Sequence, residues 1–314
     1  MRSEILIHPE ELSKKWIDRM ADAGITVLGI HPWGGKEAAR TLLELTETLQ
    51  KPDYRALLDY AAARGLEIEY EVHAAGYLMP RDLFDAHPDY FRMNEEGERV
   101  SDWNFCVSNT EAMELVARRA ARLADLLYRN NGKFYFWMDD KSHAHCHCPK
   151  CRALSASDQQ LTVINAMQRE IRKTIPEAQM AYLAYCSSID LPTRVRPDPG
   201  VFLEYAPFEK YVAKSENAAE LIEREFQMIG PLIDFFGKEN AKVLEYWYDN
   251  SLYSHWKKPP KPFAPKPDAI RDDIAFYRSR GFDSIATFGC FLGEDYEALY
   301  GEPDIEPLVK ALAQ

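Results

Sequence analysis

The sequence predicts an α/β fold of the closed (β/α)8 barrel type. Three observations lead there. Short β-like runs alternate with amphipathic, helix-like stretches from one end of the chain to the other, the pattern of parallel strands joined by helices. Eight such runs are found, and 314 residues is a usual length for one barrel folding as a single domain over 1–314. An open doubly wound sheet is the alternative, but no Gly-x-Gly-x-x-Gly turn follows an early strand.

The first run is "EILI" from Glu4, followed by a helix with Leu12, Trp16 and Met20 on one face and Gly24 at its end. "TVLGIHP" from Thr26 and "LEIEYEVH" from Leu66 are the second and third. After the third comes a long loop, Gly76 to Thr110, rich in aromatic residues. "KFYFWMDD" from Lys133, "MAYLAYC" from Met180 and "VFLEYAP" from Val201 follow. A helix carrying Leu221, Phe226, Ile229 and Leu232 then closes at Gly237. "KVLEYWYD" from Lys242 is the seventh run, with a second long loop, Ser251 to Pro267, behind it. Gly281 ends the helix before the last run, "SIATFG" from Ser284. Loops of such length in a compact domain tend to be functional or disordered. Their aromatic content favours order over a binding face.

Composition narrows the partners. Hydrophobic residues at 46% allow a substantial core, and a formal charge of -12 repels nucleic acid and anionic membrane. No stretch has the length of a membrane span or the apolar core of a signal peptide, so a cytoplasmic protein is expected. Six cysteines, several clustered, favour a metal over a disulfide scaffold.

In a barrel the reactive face lies at the C-terminal strand ends. There the third run ends in His73, the fourth in Asp139 and Asp140, the sixth carries Glu204 and the seventh Glu245. Any one of these is as well read as a solvated loop residue or a helix cap. Several on strand ends beside Tyr and Trp suit glycoside chemistry, in which one carboxyl protonates the leaving oxygen and another stabilises or attacks the anomeric centre. Asp140, furthest out, is expected to be the general acid. Asp139 and Glu245 compete for the second role, Asp139 by orienting a neighbour or a substrate N-acetyl group. His31, Trp33, His73, Tyr77, Glu204, Tyr246, Trp247 and Asp249 are expected to line the sugar site.

Cys146, Cys148 and Cys151 supply three thiolates, and Cys106, in the neighbouring loop of a barrel, is the candidate fourth. Four thiolates make a closed, structural zinc site rather than a catalytic one. His143, His145 and His147 are read as exposed loop residues or a substitute ligand, and Cys186 and Cys290 as buried small hydrophobes. No organic cofactor is expected.

The cysteine quartet resembles the structural zinc cluster of glycoside hydrolase family 42 β-galactosidases. That resemblance puts a general acid at Asp140 and a nucleophile at Glu245, although this chain has Asp139-Asp140 where that family has Asn-Glu. From about Ile30 to Phe288 the chain is more broadly similar to bacterial proteins carrying domain of unknown function 4838. The similarity rests on "YEVHAAGYLMPRDLFDAHPDYFRMNEEGER", "FWMDD", "CHCPKC", "SASDQ", "FLEYAPFEK" and "VLEYWYDNSLYSHWKKP". That group overlaps glycoside hydrolase family 163, whose members act as endo-β-N-acetylglucosaminidases. The Asp139-Asp140 pair also resembles that of family 84 O-GlcNAc hydrolases, which use the substrate acetamide as nucleophile. Together these imply a retaining glycoside hydrolase acting on an N-acetylhexosamine-containing glycan. A β-galactosidase-like enzyme with Glu245 as nucleophile, a catalytically silent carbohydrate-binding barrel and a zinc-dependent hydrolase are the alternatives. The partner is an oligosaccharide or glycoside. Sugar identity, anomer, exo or endo action and homo-oligomer formation stay open.

Overall fold

All eight runs become strands, each hydrogen-bonded in parallel to the next. They are β1 (Arg2–Ile7), β2 (Val27–Ile30), β3 (Glu67–His73), β4 (Lys133–Trp137), β5 (Gln179–Ala184), β6 (Val201–Tyr205), β7 (Lys242–Glu245) and β8 (Ser284–Phe288). β8 pairs back onto β1, from Arg2 opposite Ser284 to Leu6 opposite Phe288, and closes the barrel. The structure, a computed structural model, describes residues 1–127, 131–212 and 218–314.

The helices are α1 (Lys14–Asp22), α2 (Ala38–Thr48), α3 (Pro52–Ala63), α4 (Ala75–Leu78), α5 (Thr110–Leu126) and α6 (Ala156–Ile171) in the first half. The second half has α7 (Glu209–Val212), α8 (Ala218–Phe236), α9 (Asn250–Tyr253), α10 (Pro267–Arg280), α11 (Glu294–Tyr300) and α12 (Glu306–Ala313). Local chemistry sets their ends. The Ser13 hydroxyl accepts from the Trp16 amide to start α1, and Ser155 and Asp158 form a reciprocal capping box on α6. Gly281 stops α10 at φ 96°, a backbone region costly for any side chain with a Cβ. No described helix is long and apolar enough to cross a membrane.

Side chains alternate between two cores, as the period of two along a strand requires. Ile5, Ile7, Leu28, Val72, Phe134, Phe136, Leu203 and Val243 face the helices. Leu6, Tyr135, Trp137, Leu183, Phe202, Leu244 and Phe288 fill the barrel interior. Below that tier the interior is ionic. The Lys242 ammonium bonds Glu4, Glu69 and Glu71, and Arg2 bonds Glu67 and Glu69. Gly29 leaves the room this floor needs, since a Cβ there would collide with the Glu4 carboxylate and lie 2.6 Å from Leu6 Cγ. Cys290 is buried, as expected of it, but Cys186 is half-buried and takes a positive φ of 47° where the chain turns out of β5.

Candidate active site at the barrel mouth

Inward residues beyond the apolar tier open into a cavity of about 360 Å³ at the C-terminal strand ends, within the ~300–1,000 Å³ usual for small-ligand sites. Going round the rim, His8 follows β1, His31 follows β2, His73 ends β3, and Asp140 lies beyond β4. Tyr185, Phe208, Tyr246 and Phe288 continue the circle from β5 to β8, and Trp33, Asp249, Ser251 and Trp256 close over the edge. The rings pack against each other: His8 stacks on Trp33 with centroids 5.0 Å apart, and Tyr246 touches Phe208 and Phe288 at 5.0 and 5.1 Å. Burial and the adjacent imidazoles hold His31 well below its ordinary pKa, and burial lowers that of His8.

Two carboxylates reach this cavity. The Tyr185 hydroxyl donates to Asp140 Oδ1 at 3.2 Å, while Oδ2 lies beside Gly34, where a Cβ would be 3.6 Å from it. Asp249 caps α9. Its Oδ1 accepts from the Ser251 amide at 3.0 Å, the Leu252 amide at 3.2 Å and the Ser251 hydroxyl. Burial nevertheless pushes its carboxyl up to about 6. With three donors on Oδ1, a proton belongs on Oδ2.

The structure brings His31, Trp33, His73, Asp140, Tyr246 and Asp249 of the expected residues together, and leaves five away from the cavity. Asp139 accepts from the Gly76 amide at 2.9 Å, from the Asn104 amide and from Arg81. It ties the loop after β3 to the end of β4 and does not line the cavity. Strand alternation would carry Asp139 inward after Trp137, but β4 ends at Trp137 and the chain turns, so Asp140 reaches the mouth. Glu245 faces the helical layer, because Lys242, Leu244 and Tyr246 take the inward positions of its strand. It is fully buried against Lys210, Tyr211 and Tyr277, and burial raises its pKa. Trp247 points the same way and donates to Asp273 at 2.8 Å. Tyr77 lies under the Arg119 guanidinium, 5.5 Å from its ring centroid, on the α5 side. Glu204 is inside the barrel but one layer down, accepting from Trp137 Nε1 at 2.7 Å, and burial pushes it up to about 7.

His8, Tyr185, Phe208, Ser251, Trp256 and Phe288 were not expected in the site. His8 and Tyr185 carried a usable signal: each is the next inward step after Glu4 and Leu6, or after Ala181 and Leu183.

Beside the mouth, the sulfurs of Cys106, Cys146, Cys148 and Cys151 all lie within 4.8 Å of one another and are buried, so the cluster could hold a metal ion. The geometry suits zinc. A tetrahedron with Zn–S of ~2.3 Å has sulfur–sulfur edges of ~3.8 Å, and Cys106 Sγ is 3.7 Å from Cys148 Sγ and 3.8 Å from Cys151 Sγ. The Met93 amide donates to Cys146 Sγ at 3.3 Å, as suits a thiolate, and Gln159 braces the loop through the Cys146 amide and carbonyl. His145 and His147 lie with ring centroids 4.3 Å apart, tilted by 41°, and are not part of this group. The Glu4, Glu69 and Glu71 carboxylates also converge, but Lys242 already supplies their cation.

A family model described as domain of unknown function (DUF4838) matches residues 46–287. No match is found among curated proteins. Among solved structures, Thermotoga maritima Cel5A in complex with cellobiose aligns at a TM-score of 0.52 and 12% identity, over 99% of this chain and 97% of that one. The β-galactosidase from Rahnella sp. R3 gives 0.54 and 12%, over 92% and 50%, and that from Marinomonas ef1 gives 0.52 and 11%, over 92% and 54%. This chain spans about half the length of those two β-galactosidases. At such identities the likeness is one of fold.

Proposed function

The chain belongs to the family of domain of unknown function (DUF4838), and from that membership and the chemistry of its mouth we propose that it is a glycoside hydrolase. One observation carries the reading: two carboxyl groups, Asp140 and Asp249, share a cavity otherwise lined by aromatic rings and imidazoles. Glycosidic cleavage needs one carboxyl that holds a proton and one that does not. Asp249, pushed up to about 6 and with no hydrogen-bond partner on Oδ2 among the described residues, is the proton donor to the departing oxygen. Asp140, steadied by Tyr185, is the second carboxylate. In the retaining course it attacks the anomeric carbon as the bond to the aglycone oxygen breaks and Asp249 passes that oxygen its proton. Water, deprotonated by Asp249, then releases the sugar. Trp33, Trp256 and Tyr246 offer apolar faces for sugar rings.

The reading departs from the expected acid at Asp140 and second carboxylate at Asp139 or Glu245. Buried on the helical side against Lys210, Glu245 serves the fold. An N-acetylhexosamine-containing glycan remains the proposed substrate on the family resemblance, with its acetamide held by groups other than Asp139. We further assign a structural zinc ion to Cys106, Cys146, Cys148 and Cys151. Bound there it cross-links the loops after β3 and β4 and supplies no chemistry to the mouth.

The test is hydrolysis of p-nitrophenyl β-galactoside, β-glucoside and β-N-acetylglucosaminide by wild type, Asp140→Ala, Asp249→Ala and Glu245→Gln. Each aspartate variant should lose about 10²–10⁴-fold in rate, azide should restore Asp140→Ala, and Glu245→Gln should turn over normally per folded molecule. Full activity in either aspartate variant, or no cleavage of any substrate, would refute the assignment.

A further inference from the structure

Three histidines stand on three consecutive strand ends, and each uses Nδ1 in the same way. His8 Nδ1 lies 2.8 Å from the His31 carbonyl, His31 Nδ1 lies 2.7 Å from the Glu71 carbonyl, and His73 Nδ1 lies 2.7 Å from the Met138 carbonyl. Each acceptor belongs to the next strand round the barrel or to the residues just beyond it. A carbonyl can only accept, so Nδ1 donates in all three, and in a neutral ring Nε2 is then a bare lone pair. The repetition has a physical origin. At the C-terminal edge of a parallel barrel the ladder runs out, and the last carbonyls need donors from elsewhere.

All three rings line the mouth cavity. Among the described residues none of the three Nε2 atoms has a hydrogen-bond partner, and that of His8 is buried as well, in a side chain more than nine-tenths buried. A buried acceptor without a donor is costly, and a ligand hydroxyl is a donor that can satisfy it. Burial keeps His8 and His31 neutral, so their lone pairs persist. A shared metal ion does not fit. The ring centroids are 6.1 Å apart for His8 and His31 and 5.9 Å for His31 and His73, and the three do not form a group with ligand atoms within 4.8 Å. Separate donors on a rigid frame do fit, and the hydroxyls of a pyranose ring are such donors. Gly34 leaves space for them, since a Cβ there would meet His73 Nε2 at 3.5 Å and Asp140 Oδ2 at 3.6 Å.

We propose that His8, His31 and His73 form a row of hydrogen-bond acceptors that reads free hydroxyl groups on the sugar ring bound between β1 and β3. The ligand class rests on the glycoside reading above, whereas the tautomers do not. Ring hydroxyls facing this row must be unsubstituted, so the row selects against acylated or alkylated sugars at those positions.

Long-range 1H–15N correlation spectra of protein labelled with 15N-histidine test this at neutral pH, with the signals assigned through His8→Phe, His31→Phe and His73→Phe. The expected result is a protonated Nδ1 and an unprotonated Nε2 in all three rings, with the Nε2 signals moving upfield when D-galactose, D-glucose or N-acetyl-D-glucosamine is added. A protonated Nε2 in any of the three, or Nε2 signals unmoved by every sugar, overturns the proposal. Sugar-induced shifts without hydrolysis of any arylglycoside would support the row while counting against the hydrolase reading alone. With a glycoside that is cleaved, His31→Phe should lower kcat/KM tenfold or more, as a site built to bond a hydroxyl does when the bond is lost. The analogue lacking the matching hydroxyl should suffer that loss in wild type and no further loss in His31→Phe. Two independent losses would overturn the assignment of that residue.

Discussion

Replacing Lys242 by methionine takes the cation out of the barrel floor while keeping similar bulk. Its ammonium bonds Glu4, Glu69 and Glu71, all buried, and Arg2 remains to hold Glu69. Among the described residues, Glu4 and Glu71 are left with no directly bonded cation. Burial already drives both carboxyls well above their ordinary value of 4.5. The folded state therefore binds their protons more tightly than the unfolded chain, so these groups withdraw stability as pH rises above that ordinary value. Lys242 carries one charge and so keeps one of the two ionised; without it that carboxylate must take up a proton to stay folded. At roughly 1.4 kcal/mol per pH unit above the ordinary value, one such group costs about 3 kcal/mol at pH 7 and under about 1 kcal/mol at pH 5. The pH 7 figure agrees with the ~3–5 kcal/mol typical of breaking a buried ion pair. Urea unfolding of wild type and Lys242→Met at both pH values, compared through midpoint and slope, should give a loss of about 3 kcal/mol at pH 7 and about 1 kcal/mol at pH 5. An equal or larger loss at pH 5, or a negligible one at pH 7, would refute the placement of charge in the floor.

If Asp249 delivers the proton, turnover of an arylglycoside falls as pH rises through about 6, because the group pushed up by burial loses its proton there. In Asp249→Asn that alkaline limb should vanish from the residual activity, and its persistence would give the proton to another group. Protein prepared without chelator should carry one zinc per chain, measured by a metallochromic assay. Removing the metal, or making Cys106→Ser, should lower Tm by several degrees, since metal bound to the native state alone adds to its stability. An unchanged Tm after complete metal loss would deny the cluster a structural role.

The eight strands were legible because each alternates or runs apolar between glycine-marked helix ends, and the eight-stranded barrel expected from them is the one observed. The cysteine quartet was legible because three thiols in six positions leave one place to fill, and barrel topology puts Cys106 next door. Direction at strand ends was harder. Glu245 stands at the end of β7 where glycoside chemistry would want it, yet counting by two from Lys242 through Leu244 to Tyr246 sends it outward. Asp139 and Asp140 could not be told apart by counting, since the strand stops two residues earlier. The alternating glutamates of "EIEYEVH" look like a solvated face. A barrel strand has no solvated face, and Glu69 and Glu71 accordingly belong to a buried ionic cluster completed by Lys242, 171 and more residues away.

Leu6, Leu183, Leu244 and Phe288 lie between that ionic cluster and the mouth cavity. The consequence is insulation. Charge can be added or removed at the mouth without passing into the floor, except along the thread from Glu204 through Trp137 Nε1 to an indole that faces both compartments. Rim residues can therefore be recast with the floor left as it is, provided Trp137, which touches both, is kept.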